Sequence, residues 1–154
     1  MTTGEALATS SAPLRVLIVD NRSDRRELMR HVVAATGLAA PEIAEASTAA
    51  EATARLDDGG CDVVLVEIQL PVDVGLETIA ALRSQSPHAR IVVCSFHGDE
   101  ATKAQARADG ADAYLDKPVS SRSLQEVLRS FDADSERGES TARGGRTDRL
   151  EHQR

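Results

Sequence analysis

Aromatic residues are nearly missing from this chain: one Tyr, two Phe and no Trp in 154 residues. An interior built without large rings has to be made of Val, Leu, Ile and Ala. The 41% hydrophobic content supplies enough of them for one real core. No apolar run approaches the roughly 18 residues that a membrane-crossing helix needs, so no membrane span is expected. The opening residues, MTTGEALATSSAP, have neither a basic start nor an apolar stretch. No secretory signal is therefore expected, and the expected compartment is the cytoplasm. A basic excess is absent too: the net charge of -7 argues against a nucleic-acid-binding surface. The two cysteines, Cys61 and Cys94, lack a metal-type spacing and read as reduced packing residues.

What the chain does have is a regular alternation. Residues 1–13 are small and polar, and residues 132–154 carry one apolar residue larger than Ala, Leu150. Both ends are expected to be disordered, an arm and a tail around an ordered unit at 14–131. Within that unit, RVLIVD (15–20), PEIAEAS (41–47), CDVVLVEI (61–68), ARIVVCSF (89–96) and ADAYLD (111–116) read as strands. Residues 22–36, 48–58, 75–86, 99–109 and 120–131 read as helices. Thr48 and Glu51 form a capping box at the start of the second helix. Leu124, Val127, Leu128 and Phe131 share one face of the last helix. The pattern is (βα)5. Near-continuous apolar strands separated by helices imply a parallel sheet covered on both faces, an α/β three-layer sandwich.

In such sheets, sites form at the carboxyl ends of the strands. Asp20 and Asn21 follow the first strand, Glu67 ends the third, Ser95 ends the fourth, and Lys117-Pro118 follow the fifth. Each has an ordinary reading alone: Asp20 as a helix cap, Glu67 as a solvated charge, Lys117 as part of a solvated face. Carboxylates, a hydroxyl and a lysine at four strand ends together point to one shared site. The stretch after the first strand, NRSDRRE, is charged and bulky. It makes a poor cradle for a nucleotide phosphate, which argues against a nucleotide-binding module.

VLIVDN, VVLVEIQLP, the GLE after it, and GADAYLDKP resemble the receiver domain of bacterial response regulators, over roughly residues 14–131. The resemblance implies a flavodoxin-like fold with parallel strand order 2-1-3-4-5. It also implies a set of roles. An Asp at the end of the third strand accepts a phosphoryl group from a histidine kinase, and two acidic residues after the first strand help hold Mg²⁺. A hydroxyl after the fourth strand and a lysine after the fifth bind the phosphoryl group. An aromatic residue in the fifth strand then reshapes the face formed by the fourth helix, fifth strand and fifth helix. By resemblance these roles fall on Glu67, on Asp20 with Asn21, on Ser95, on Lys117 and on Tyr114.

Two positions depart from the family pattern: Glu67 stands where the family has Asp, and Asn21 where it has a second acid. One extra methylene moves the nucleophilic oxygen by roughly 1.5 Å, and misplacement of about 1 Å can cost on the order of 10²-fold in rate. Asn21 brings no charge, so Mg²⁺ held by Asp20, Asn21 and Glu67 is expected to bind weakly, if it binds. With Lys117, the two carboxylates leave one net negative charge, and the longer Glu67 can reach toward Lys117 and Ser95. Phe96 is bulkier than the family's usual residue; it reads either as core or as a ring that narrows access for a phosphodonor. Tyr114 reads either as packing or as the switch residue. The expectation is an atypical single-domain receiver, not an enzyme, in two-component phosphorelay signal transduction. It would act by protein–protein contact with a sensor histidine kinase or a downstream regulator, with self-association left open, and Glu67 would partly imitate the phosphorylated state. The alternative is a receiver that does accept phosphate.

Overall fold

The computed structural model describes residues 13–38, 40–57, 60–68, 72–96 and 98–141. Five strands and five helices alternate: β1 Arg15–Val19, α1 Ser23–Ala34, β2 Glu42–Ala46, α2 Ala49–Asp57, β3 Val63–Glu67, α3 Val72–Gln85, β4 Arg90–Ser95, α4 Glu100–Ala108, β5 Ala113–Asp116 and α5 Ser121–Thr141. All strand pairs are parallel, in the order β2-β1-β3-β4-β5. The α/β flavodoxin-like expectation is borne out in topology as well as class.

Alternation along each strand sorts the apolar residues onto two faces. Val16, Ile18, Val63, Leu65, Val92 and Cys94 point to the side that α1 and α5 cover, where they meet Met29, Val33, Leu124 and Phe131. Leu17, Val19, Val64, Val66, Ile91 and Val93 point to the other side and meet Ala52, Leu56, Ile79, Leu82 and Ala106. Both layers are therefore aliphatic, as the shortage of rings requires. The expected apolar face of the last helix is in place: Leu124 and Phe131 are buried, and Val127 and Leu128 pack beside them.

Helix ends follow local chemistry. Gly37, Gly60 and Gly110 lie just past α1, α2 and α4, each at positive φ, the conformation that ends a helix most readily with glycine. Asp99 caps α4 by accepting the Thr102 N–H at 2.7 Å. The capping box of α2 is half as expected. Thr48 Oγ1 accepts the Glu51 N–H at 3.1 Å, but the Glu51 carboxylate reaches back to Ser47, accepting its N–H at 2.7 Å.

Two boundaries differ. α3 begins at Val72, three residues before the expected start, because Gly75 sits inside the helix rather than opening it. Gly75 is there for contact: a Cβ would stand 2.7 Å from Ile68 Cγ2, next to the end of β3. α5 continues to Thr141, ten residues into the expected tail. A helix closes its backbone hydrogen bonds within the segment, so it can propagate from a packed first half without further apolar residues. Residues 1–12 of the expected arm and 142–154 of the expected tail lie outside the described residues.

Candidate functional site

β1, β3, β4 and β5 are adjacent and parallel, so their last residues land on one edge. The register places Val19 beside Val66, Glu67 beside Cys94 and Ser95 beside Asp116. On this edge three of the expected groups meet. Lys117 Nζ lies 2.5 Å from Glu67 Oε1 and 3.4 Å from Asp20 Oδ2. The side chains are 9%, 5% and 5% exposed for Lys117, Glu67 and Asp20, which excludes the solvated readings of both Glu67 and Lys117. The peptide bond between Lys117 and Pro118 is cis.

Asp20 is held from several sides. Its Oδ1 accepts the Arg22 N–H at 3.0 Å, its backbone carbonyl accepts from Arg26 Nη1 at 2.8 Å, and its own N–H donates to Ala46 O at 3.1 Å. Arg26 also pairs with Glu45 of β2 at 2.8 Å. The helix-cap reading of Asp20 is thus true in part, since it meets the N–H just before α1, but its second oxygen belongs to Lys117. Asn21, also expected here, is exposed.

Glu67 is differently placed. Its contact with the ammonium is short but falls outside hydrogen-bond angles, so the buried Oε1 accepts no well-aligned hydrogen bond. Burial raises the Glu67 carboxyl above its usual range, and Lys117 offsets part of that rise. The remaining space between Asp20, Glu67, Lys117, Arg25 and Met29 is a cavity of about 10 Å³, roughly one water in size.

Ser95 is fully buried and donates from Oγ to the Ile68 carbonyl at 3.2 Å. A side-chain hydrogen bond joins it to Tyr114. Tyr114 packs against the aliphatic layer on the α4 side. Burial pushes its phenol up, and the Ser95 hydroxyl, available to the phenolate, partly offsets this. As the chain's one tyrosine, it gives a clean titration: its near-ultraviolet absorbance is expected to reach midpoint above the ordinary value of 10.0. A midpoint at or below that value would contradict its inward placement.

Phe96 corrects one expectation. β4 ends at Ser95, so Phe96 stands past the sheet; it is 57% exposed and is not core. Its ring centroid lies 5.6 Å from Lys117 Nζ. Cys94 is buried and its thiol is pushed up to about 12 by burial, while Cys61 is half-buried and donates from Sγ to Val63 O at 3.1 Å. Both are free and neither is a thiolate, in keeping with packing roles.

Sequence reasoning missed three groups here. Arg25 lines the cavity beside Glu67, and Gly98 and Asp116 surround Tyr114. Asp116 was legible in principle, since it follows Tyr114 by two on one strand and so shares its side. Arg25 and Gly98 carry no such signal.

Comparison with known proteins agrees with this fold. The chain matches the family described as response regulator receiver domain over residues 16–129. The chemotaxis protein CheY of Thermotoga maritima is 30% identical over 115 residues, 74% of this chain and 93% of that protein. The alginate biosynthesis transcriptional regulatory protein AlgB of Pseudomonas aeruginosa is 32% identical over 76% of this chain, but over 25% of its own length. The solved structure of Vibrio cholerae CheY4 aligns with a TM-score of 0.67 at 28% identity, covering 77% of this chain and 98% of that one. Family match and strand order agree over the same stretch of chain, and the chain belongs to the response regulator receiver domain family of two-component signalling.

Proposed function

We propose that Glu67 occupies the position at which the family carries its phosphoacceptor Asp, and that this receiver signals by protein contact without the usual phosphoryl transfer. The observation that carries this reading is the closure of Glu67 and Asp20 on the Lys117 ammonium, with a water-sized cavity of about 10 Å³ beside them among the described residues. A phosphoryl group would need both the lysine and that space. Phe96 stands over the ammonium on the outer side, where a phosphodonor would approach.

Receiver domains typically bind Mg²⁺ at the phosphorylation site. The residues here do not fit it. Mg²⁺ demands near-octahedral oxygen coordination at roughly 2.0–2.1 Å. The position between the two carboxylates is taken by an ammonium, and Asn21 offers a neutral amide from an exposed position. Among the described residues, no three His, Cys, Asp or Glu are grouped to hold a metal. The internal cation takes over the charge balance that the metal would supply.

On this reading the chain is a binding module rather than an enzyme. Its partner is a sensor kinase or a downstream regulator, met through the face of α4, β5 and α5. Incubation with acetyl phosphate and Mg²⁺, followed by intact-mass measurement, is expected to leave the mass unchanged. A phosphoryl adduct on Glu67 would establish the phosphate-accepting alternative instead.

A further inference from the structure

Tyr114 sits in a socket made by three elements. Lys103 of α4 places its ammonium 5.6 Å from the ring centroid. The same ammonium lies 3.7 Å from Asp116 Oδ2, two residues along β5 from Tyr114. The loop before α4 closes the third side. A Cβ added to Gly98 would stand 2.6 Å from Asp116 Oδ1, 3.0 Å from Lys103 Cε and 3.0 Å from Tyr114 Cε1. At its far end the tyrosine is hydrogen-bonded to the buried Ser95, which in turn bonds the carbonyl of Ile68, the residue after Glu67.

We propose that Lys103 and Asp116, with Gly98 leaving them room, form a clasp that holds Tyr114 turned in toward Ser95. The face of α4 and β5 is then presented in one fixed form with no chemical change at Glu67. A phenol on a sheet edge has separate staggered wells, inward and outward. A cation over the ring face stabilises the inward one, because the ring's negative face meets the ammonium there. Asp116 fixes the ammonium in turn; its side chain is 67% exposed, whereas that of Lys103 is 21% exposed. The lysine is thus pinned between a ring and a carboxylate instead of extending into water. Lys103, Asp116 and Gly98 are positioning residues: they act on the partner face through Tyr114.

This inference rests on the proposed function, signalling through the face of α4, β5 and α5 without phosphoryl transfer, and one assay separates the two. The chain has no Trp and a single Tyr, so its intrinsic fluorescence reports Tyr114 alone. Acrylamide quenching is to be measured on the full chain for the unsubstituted protein, Lys103→Met, Lys103→Arg and Gly98→Ala. Little quenching is expected in the unsubstituted protein and a several-fold larger quenching constant in Lys103→Met and Gly98→Ala. Lys103→Arg should restore protection, since it keeps the cation. The methyl of Gly98→Ala meets mostly the movable ends of Asp116 and Lys103, so it is expected to spread the clasp rather than unfold the chain. If Gly98→Ala does not fold, the two lysine variants carry the test.

Equal quenching in all folded variants would overturn the clasp. Loss of protection in Lys103→Arg as great as in Lys103→Met would overturn the role of the cation. Adding beryllofluoride and Mg²⁺ to the unsubstituted protein tests the underlying reading. A change in Tyr114 quenching on that addition would refute the phosphorylation-independent function, even where the lysine variants behave as expected.

Discussion

Lys117→Met is expected to lower stability by about 3–5 kcal/mol at neutral pH, the usual cost of stranding buried charges by removing their partner. Asp20 and Glu67 each have a side chain 5% exposed, and the Lys117 ammonium contacts both. Without it, two carboxylates face each other at an edge with space for about one water. The loss corresponds to a drop on the order of 10 °C in the melting temperature of a domain this size. Its pH dependence has a definite sign. Glu67 already titrates above its usual value, and the main effect opposing that rise is Lys117. The substitution therefore raises the folded carboxyl further. A group with a raised folded value binds its proton more tightly folded than unfolded, so its destabilising effect is present at high pH. The effect fades as pH falls through the folded value toward the ordinary 4.5. Denaturant unfolding at pH 7.5 and at pH 5 should accordingly show the deficit shrinking at the lower pH, with Lys117→Arg much closer to the unsubstituted protein. Equal midpoints for Lys117→Met and the unsubstituted chain at pH 7.5 would mean that the pair contributes nothing.

The strands were legible because an aliphatic parallel sheet has to be written as apolar runs. RVLIV, VVLVE and RIVVCS have few other uses in a chain without transmembrane length. The site was legible for a related reason. Charged residues directly after such runs are costly to bury unless they meet a partner, and a parallel sheet brings the carboxyl ends of all its strands to one edge. What stayed hidden depended on side-chain direction and on loops. Phe96 is apolar and follows a buried strand, so hydrophobicity alone places it inside; the strand's stop at Ser95 puts it outside. The sequence admitted Glu67 either to solvent or to Lys117, and only the fold shows the ammonium close to both acids. Gly98 looks like a generic loop glycine until a Cβ is built on it. α5 ran past its expected end because composition predicts poor burial, and burial does not decide where a hydrogen-bonded backbone stops.

Replacing Asn21 by Asp together with Glu67 by Asp is expected to convert a metal-indifferent site into a metal-dependent one. Glu67→Asp withdraws the carboxylate by about one bond length, roughly 1.5 Å, which separates it from Lys117 and opens the cavity. Asn21→Asp adds a third acid, so the groups Asp20, position 21, position 67 and Lys117 change from a net charge of -1 to -2. Three carboxylates at one edge repel each other, and the double variant should be less stable than the parent in the absence of a divalent cation. Hard oxygen donors of that number suit Mg²⁺. A ligand that binds only the folded state stabilises it by RT ln(1 + [L]/Kd), about 2.7 kcal/mol at one hundred times Kd. Titrating Mg²⁺, with and without beryllofluoride, should therefore raise the double variant's melting temperature in a saturable way while the parent's stays level. Glu67→Asp alone should respond weakly, and Asn21→Asp alone should respond less still, because the long Glu67 still engages Lys117. If parent and double variant respond to Mg²⁺ alike, the extra methylene of Glu67 and the missing charge of Asn21 do not control this pocket. The ammonium would then not be standing where a metal would otherwise be needed.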